Sequence, residues 1–429
     1  YRCPVDPNSY ATSHGIKLKN EIENPSLIGL RDMRLKYMHE QMIKDPAVKL
    51  NLASDYAGIA NYWKFFDGET KQLVKFKTFE QKQKYEQNFS NWAKGKAEYE
   101  NIFSEYEKNY AAWTPYSKHR QYLREGIVGS PLAAYASSLM GLEAAMVKQG
   151  STSADIKKAA DGAEAARKNY LAAADRPSDE KILAAVAMAF YNDIEKNQHP
   201  IGFYEKLKAS YGPLDEEGTY KKWAKDVFDN TMILNDTKWA AFIANPDANI
   251  LQADPAFDFA SSFVKNYNTK YAPLFTVFNN KNNELGRSYM KGIMVMNPEA
   301  VKKMYPDANF SMRVSYGNVK SYAPRDAVKY DYVTTSKGIL EKYVAGDYEF
   351  DLPTKQVELL KKKDFGQYID KTRNDLVIGF ITTNDITGGN SGSPVIDGNG
   401  NLIGLAFDGN YEALSHKIAF DKDLNRTIC

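Results

Sequence analysis

Cysteine is nearly absent: of 429 residues only Cys3 and Cys429 carry a thiol, and they stand at opposite ends of the chain. That excludes a disulfide scaffold and any zinc site built on four cysteines or on a closely spaced pair. An excess of either charge is also missing, with 56 Lys+Arg against 54 Asp+Glu and a formal net charge of +2. No run of five or more Lys/Arg occurs, so neither nucleic acid nor an anionic lipid surface is an expected partner. Long apolar runs are lacking too. The longest candidate, Ile182 to Phe190, is nearly half alanine and falls far short of the roughly 18 residues a membrane span needs. No ligand cluster or phosphate-cradling loop appears, so no metal and no organic cofactor is expected. A fixed-period repeat is absent, which argues against a solenoid.

What remains is a globular composition, 43% hydrophobic with mean hydropathy -0.54, in a chain long enough for about two or three domains. It begins at Tyr1 without an initiator Met and stops at Cys429 directly after a strand-like run. Both ends read as cut.

From about residue 21 to residue 300 apolar residues recur every three or four positions, the period of helices packed on a core. Tyr85, Phe89, Trp92, Tyr99, Phe103, Tyr106, Tyr110 and Trp113 form one aromatic stripe, expected on a single long helix as core or interhelical seam. Leu30, Met33, Tyr37, Met38 and Met42 trace a similar face, ended at Asp45-Pro46 because the proline ring clashes with a continuing helix. Pro177-Ser178-Asp179-Glu180 announces another helix with Ser178 as expected N-cap.

The period changes near Pro306. Phe310, Met312, Val314 and Tyr316 alternate with polar residues, the pattern of a half-buried strand, and Gly317-Asn318 reads as a turn. Leu376 to Thr383 and Leu402 to Phe407 are further β-rich runs, the second entered through Asp397-Gly398-Asn399-Gly400, a hairpin signal. Residues 306–429 are therefore mainly β, one barrel's worth of chain behind a large helical block. The fold class is α+β.

Between two of those strands lies Thr387-Gly388-Gly389-Asn390-Ser391-Gly392-Ser393-Pro394. Glycines let the backbone bend tightly around a nucleophilic Ser391 and turn N–H groups toward one point. Those of Gly389 and Ser391 would form an oxyanion hole, each donor contributing about 3 kcal/mol in the transition state. Ser393 is a rival nucleophile, but Gly389 stands two positions before Ser391 and favours the latter. A glycine- and serine-rich turn without chemistry is the competing explanation.

The run Thr383 to Val395, followed by Leu402-Ile403-Gly404-Leu405-Ala406-Phe407-Asp408-Gly409-Asn410, resembles the chymotrypsin-like clan of serine peptidases, and within it the bacterial dipeptidyl-peptidases 7 and 11. Tyr305-Pro306-Asp307-Ala308-Asn309 and Ile59-Ala60-Asn61-Tyr62-Trp63-Lys64 are similar to the same family. The resemblance covers most of the chain and is most specific around the serine. It implies a double β-barrel peptidase with a helical domain capping the cleft, here divided as 1–20 (end of the first barrel, with Tyr10 to Gly15 its last strand), 21–305 (helical cap) and 306–429 (second barrel, carrying the serine). It also implies release of dipeptides from the free N-terminus of oligopeptides by a bacterial periplasmic or secreted enzyme, and leaves a homodimer open.

On that resemblance Asp408 takes the position of the carboxylate that holds the substrate's α-ammonium, and Asn61 that of a second contact to the same group. Trp63 could line the cleft, although a core position suits it better. Gly409 stands where acidic-specific members carry an arginine, which points to apolar preference, as in the type 7 enzymes. The clan also needs a histidine base and an orienting aspartate before the serine. None of His14, His39, His119, His199 and His416 sits in the expected strand-to-turn setting, and His416 follows the serine. The chain is therefore expected to lack base and orienter and to be inactive alone. A non-catalytic peptide-binding fragment, an endopeptidase and an acidic-specific dipeptidyl-peptidase are the alternatives.

Overall fold

The computed structural model describes residues 11–302, 312, 314–347 and 349–429. They divide into two compact units. Thr12–Thr70 with Lys82–Ile293 make a helical unit; the described parts of Tyr1–Ala11, Lys71–Gln81 and Met294–Cys429 make the other.

Helices dominate from Ser13 to Val301, as the sequence period requires. The helix Asn24–Met42 ends before Asp45, and the next, Pro46–Lys75, begins at the proline whose ring closed the first. The core of the helical unit is aromatic. Phe190 and Phe263 meet edge to face at 4.9 Å, His119 packs on Phe190 at 5.1 Å, and Tyr220, Trp239 and Phe257 are likewise enclosed. Each such side chain contributes about 2 to 3 kcal/mol by leaving water.

Three expectations fail in this region for local reasons. The aromatic stripe does not ride one helix: Thr78–Ala93 and Ile102–Gln121 are separate, broken where Gly95 takes a positive φ of 73°. The stripe survives as a seam across the break, with Phe89 against Tyr99 and Phe103. Ser178 is not an N-cap. Asp175 caps the helix Arg176–Asp193 and accepts from the Ser178 N–H at 3.0 Å. Where a closing strand was expected over Tyr10 to Gly15, Thr12 instead caps the helix Ser13–Leu18; Tyr10 lies outside the described residues. The N–H and hydroxyl of Ser13 both donate to Glu86, at 2.6 Å each, which fixes this helix from the side.

Among the described residues the C-terminal unit holds nine strands: β1 Tyr322–Arg325, β2 Val328–Tyr330, β3 Val333–Thr335, β4 Ile369–Asp370, β5 Asp375–Thr382, β6 Pro394–Ile396, β7 Leu402–Leu405, β8 Asp408–Gly409 and β9 Thr427–Ile428. β1 pairs with β2, and β6 with β7; β3, β5, β9 and β8 line up in that order, with β4 also on β5. All pairs are antiparallel. Among the described residues these ladders do not close, so the expected barrel is not seen as one; closure needs an unbroken ring of pairings. The strand expected over Phe310 to Tyr316 is also not formed. Phe310 lies outside the described residues, and Met312 and Val314 are exposed, outside any strand. Gly317 is no turn but a close approach, since a Cβ there would lie 2.7 Å from the Asn384 nitrogen. The hairpin signal at Asp397 to Gly400 does join β6 to β7. Among the described residues no helix is long and apolar enough to cross a membrane.

Candidate active site

The serine loop is shaped by its glycines. Gly389 and Gly392 adopt φ of 100° and 81°, values that favour glycine over any L side chain. Within the loop the Asn390 N–H donates to the Thr387 carbonyl at 3.1 Å and that of Ser393 to the Asn390 carbonyl at 2.9 Å. The Asn390 side-chain oxygen in turn accepts from the Thr387 N–H at 3.0 Å. The N–H groups of Gly389 and Ser391 take no acceptor among the described residues. Ser391 is exposed at the turn. Ser393, its rival, is tied into the ladder, its carbonyl accepting from the Ala406 N–H at 2.9 Å.

The serine loop and the run that leads to Asp408 are joined by a ladder. The Gly392 N–H donates to the Ala406 carbonyl at 2.8 Å, and Pro394 pairs with Leu405. Asp408 follows two residues after Ala406, on β8, where it pairs with Ile428. Its carboxylate is exposed and accepts from the Gly409 N–H at 2.7 Å. Gly409 faces Ala413, whose Cβ would be 3.3 Å from a Cβ placed there. Asn61 is an exposed residue of the helix Pro46–Lys75, in the helical unit, and Trp63 on the same helix is half-buried.

A polar network that sequence did not reveal holds the β8 end. Buried Asn410 accepts from the Arg426 N–H at 2.8 Å and donates to Glu412 at 2.9 Å and to the Leu424 carbonyl at 2.8 Å. Tyr322 donates its hydroxyl to Glu412 at 2.8 Å, and that carboxylate with burial pushes the Tyr322 phenol up. Arg426 donates to the carbonyls of Lys320 and Ser321, each at 3.1 Å; burial lowers its pKa. The loop before the serine is held by a second pair: His416 Nδ1 lies 2.7 Å from Asp385 Oδ1, both side chains mostly enclosed. Backbone contacts help: Ser315 donates to the Asp385 carbonyl and Thr427 to the Asn384 carbonyl, each at 2.8 Å. Partners so far apart in sequence leave no periodic signal; the only trace was Asp385's place in the serine run.

The other histidines belong to the helical unit. His199 Nε2 meets the Ile194 carbonyl at 2.9 Å, His39 lies on the helix Asn24–Met42, and His14 on the helix Ser13–Leu18 stacks with Tyr110. His119 is buried, and desolvation lowers its pKa to about 4. No group of three or more His, Cys, Asp or Glu suited to a metal occurs among the described residues.

The chain is similar over nearly all its length to curated bacterial peptidases. It is 34% identical to an Asp/Glu-specific dipeptidyl-peptidase of Flavobacterium psychrophilum, covering 99% of this chain and 58% of that protein. Identity to a dipeptidyl-peptidase 7 of Capnocytophaga gingivalis is also 34%, with the same coverage. The chain thus spans a little under three-fifths of the curated relatives it matches. Among solved structures, Porphyromonas endodontalis DPP11 in complex with the dipeptide Arg-Glu superposes with a TM-score of 0.84 at 24% identity, covering 98% of this chain and 59% of that one, which speaks to the fold. The peptidase S46 model matches residues 3–429, and the chain belongs to the peptidase S46 family.

Proposed function

We propose that this chain is the greater part of a serine exopeptidase that releases dipeptides from the free N-terminus of oligopeptides. The observation that supports this most is the ladder joining Gly392 to Ala406, which ties an exposed serine with two unengaged N–H groups to the run that leads from β7 to Asp408 at the start of β8. In this reading the α-ammonium is held by Asp408 and Asn61, so that the second peptide carbonyl meets Ser391. Oγ attacks that carbon and gives its proton to a base. The carbonyl oxygen, now negative, is held by the N–H groups of Gly389 and Ser391. Collapse breaks the peptide bond, the shortened peptide leaves as an amine with the base's proton, and water frees the dipeptide from the ester.

The histidine base and its aspartate are proposed to belong to the part of the relatives' length this chain does not span. In the same reading the three sheets belong to the second barrel of a chymotrypsin-like double barrel, 1–20 to the end of the first, and 21–305 to a cap. A periplasmic or secreted setting is part of the proposal. A homodimer would show as doubled mass in light scattering.

Gly409 leaves room and no charge, which supports apolar side chains before the cut. The 34% match to an Asp/Glu-specific relative supports an acidic preference instead. Fluorogenic dipeptides separate the two. With the parent protein, a leucine substrate is expected to exceed an aspartate one in kcat/KM, and Gly409→Arg to shift the ratio toward aspartate by about tenfold. A fluorophosphonate should label the parent once, at Ser391, and leave the 429-residue chain unlabelled. Labelling elsewhere, or family-like turnover by the 429-residue chain, would sink the assignment.

A further inference from the structure

The helical unit contains a cavity of about 540 Å³, within the range of roughly 300 to 1,000 Å³ typical of small-molecule sites. Its walls are chiefly apolar, with Met38, Leu52, Ile59 and Ile182 among them, and two arginines of the helix Asn24–Met42 enter it. They differ in how well they are satisfied. Arg31 pairs with Glu125 at 2.8 Å and lies over the rings of Tyr62 and Phe66. Arg34 reaches the same carboxylate only at 3.7 Å and makes no hydrogen bond to a described residue. Burial lowers its pKa, against the charges of Glu125, Asp179 and Asp55. An arginine offers five donors in a fixed fork, and a half-enclosed one without acceptors is costly unless something brings them.

The other charges in the wall define what that something is. Four carboxylates, Asp55, Glu125, Asp175 and Asp179, line the cavity with the two arginines. Glu125 is taken up by Arg31. Asp175 caps a helix, and Asp179 accepts from the Ser130 hydroxyl at 2.7 Å and the Leu132 N–H at 2.8 Å. Asp55 is exposed, and its charge acts on Arg34 across the cavity wall. A simple anion would meet net negative charge, whereas a simple amine would leave Arg34 unsatisfied. A ligand with both charges and an apolar body answers all three features.

We propose that this cavity binds a short zwitterionic peptide, its carboxylate on Arg34, its ammonium at Asp55 and an apolar side chain along Met38, Leu52, Ile59 and Ile182. The site stands on the helical unit alone and does not depend on the chemistry proposed for Ser391.

Titration calorimetry of the 429-residue chain carrying Ser391→Ala tests it, with leucyl-phenylalanine, its N-acetyl form and acetate as probes. The free dipeptide should bind saturably, the N-acetyl form about tenfold more weakly, and acetate not at all. Arg34→Gln should weaken the dipeptide by about tenfold. Because Arg34 is partly enclosed, Asp55→Asn on the exposed side is the second variant: it should weaken the free dipeptide and leave the N-acetyl form unchanged. In the double variant Asn61→Ala/Asp408→Ala, which removes the anchors proposed beside Ser391, saturable dipeptide binding that still responds to Arg34→Gln should remain. No saturable binding, equal binding of acetate, or affinity unchanged by both Arg34→Gln and Asp55→Asn would overturn the proposal. Loss of binding in the double variant would overturn it as well, and would return the dipeptide to the serine region, so the two proposals fail separately.

Discussion

The helical unit and the C-terminal unit keep their apolar residues in different places. In the first, Phe190, Phe257, Tyr220 and Phe263 are at most 1% exposed, and rings meet rings through the whole interior. In the second, Ile396 is 61% exposed, Leu402 65% and Phe407 56%, while the groups it hides include Asn410, Glu412, Arg426 and Thr427. The helical unit therefore rests on a core of its own. Around the serine, order comes from backbone ladders and a polar network instead. The difference is one of construction: the helical unit packs ring on ring, whereas the serine loop is held by backbone ladders and leaves its Gly389 and Ser391 N–H groups accessible.

Matched truncations would break or sharpen that contrast most strongly. Phe190→Ala should destabilise the helical unit by about 3 to 5 kcal/mol, whereas Phe407→Ala should change the chain's stability by less than about 1 kcal/mol. Urea unfolding followed by far-UV circular dichroism measures both. Similar losses would show that the exposed strand side chains of the C-terminal unit are packed as closely as the helical core.

Next in size is a pair of opposed pH effects within the helical unit. His119 is held by burial at about 4 against an ordinary 6.5, so its contribution is present above pH 6.5 and lost as pH falls toward about 4. Asp179 is pushed up to about 7 from 3.8 by burial, against the Ser130 and Leu132 bonds and the Arg34 charge. Its contribution is present below about pH 4 and lost as pH rises to about 7. Each is on the order of 3 kcal/mol by linkage, and between pH 4 and 6.5 they largely cancel. Relative to the unaltered chain, His119→Gln should make stability fall more steeply from pH 4 to 7, and Asp179→Asn should make it rise. Melting temperatures across that range check the signs; the same slope in both variants would refute the pairing.

The smallest effect is expected at the serine loop. His416→Gln should cost about 1 kcal/mol, the size of one partly buried hydrogen bond to a charged group, and should speed amide exchange at Asp385 to Thr387 without touching the helical unit. Unchanged exchange there would mean that the His416–Asp385 pair does not hold the loop.

Sequence made the helical block legible because its interior repeats with the helix period. Its interruptions were harder to see. The aromatic spacing runs straight through Lys94-Gly95-Lys96, and only Gly95 signals the break. Asp175 and Ser178 are equally good caps three residues apart, and which one serves is decided by where the chain enters. In the C-terminal unit alternation misled, since Met312 and Val314 alternate with polar residues yet bury nothing. The serine turn was readable because glycine is demanded by its φ values. Asp408 and Asn61 are singled out by resemblance alone, and the network of Asn410, Glu412 and Arg426 was not legible, because it joins residues that no local pattern relates.

One two-residue strand carries a consequence for how the molecule assembles. β9 lies between β5 and β8, with Ile428 opposite both Ile381 and Asp408. The β6–β7 hairpin closes over a short turn, so the serine loop acquires its ladder from neighbours made almost together. The anchor strand acquires its place in the larger sheet only after Thr427 and Ile428 have arrived, through pairings distant in sequence that form slowly. The hairpin around the serine turn is thus local, while the place of β8 in the larger sheet depends on a pairing made across a longer stretch of chain.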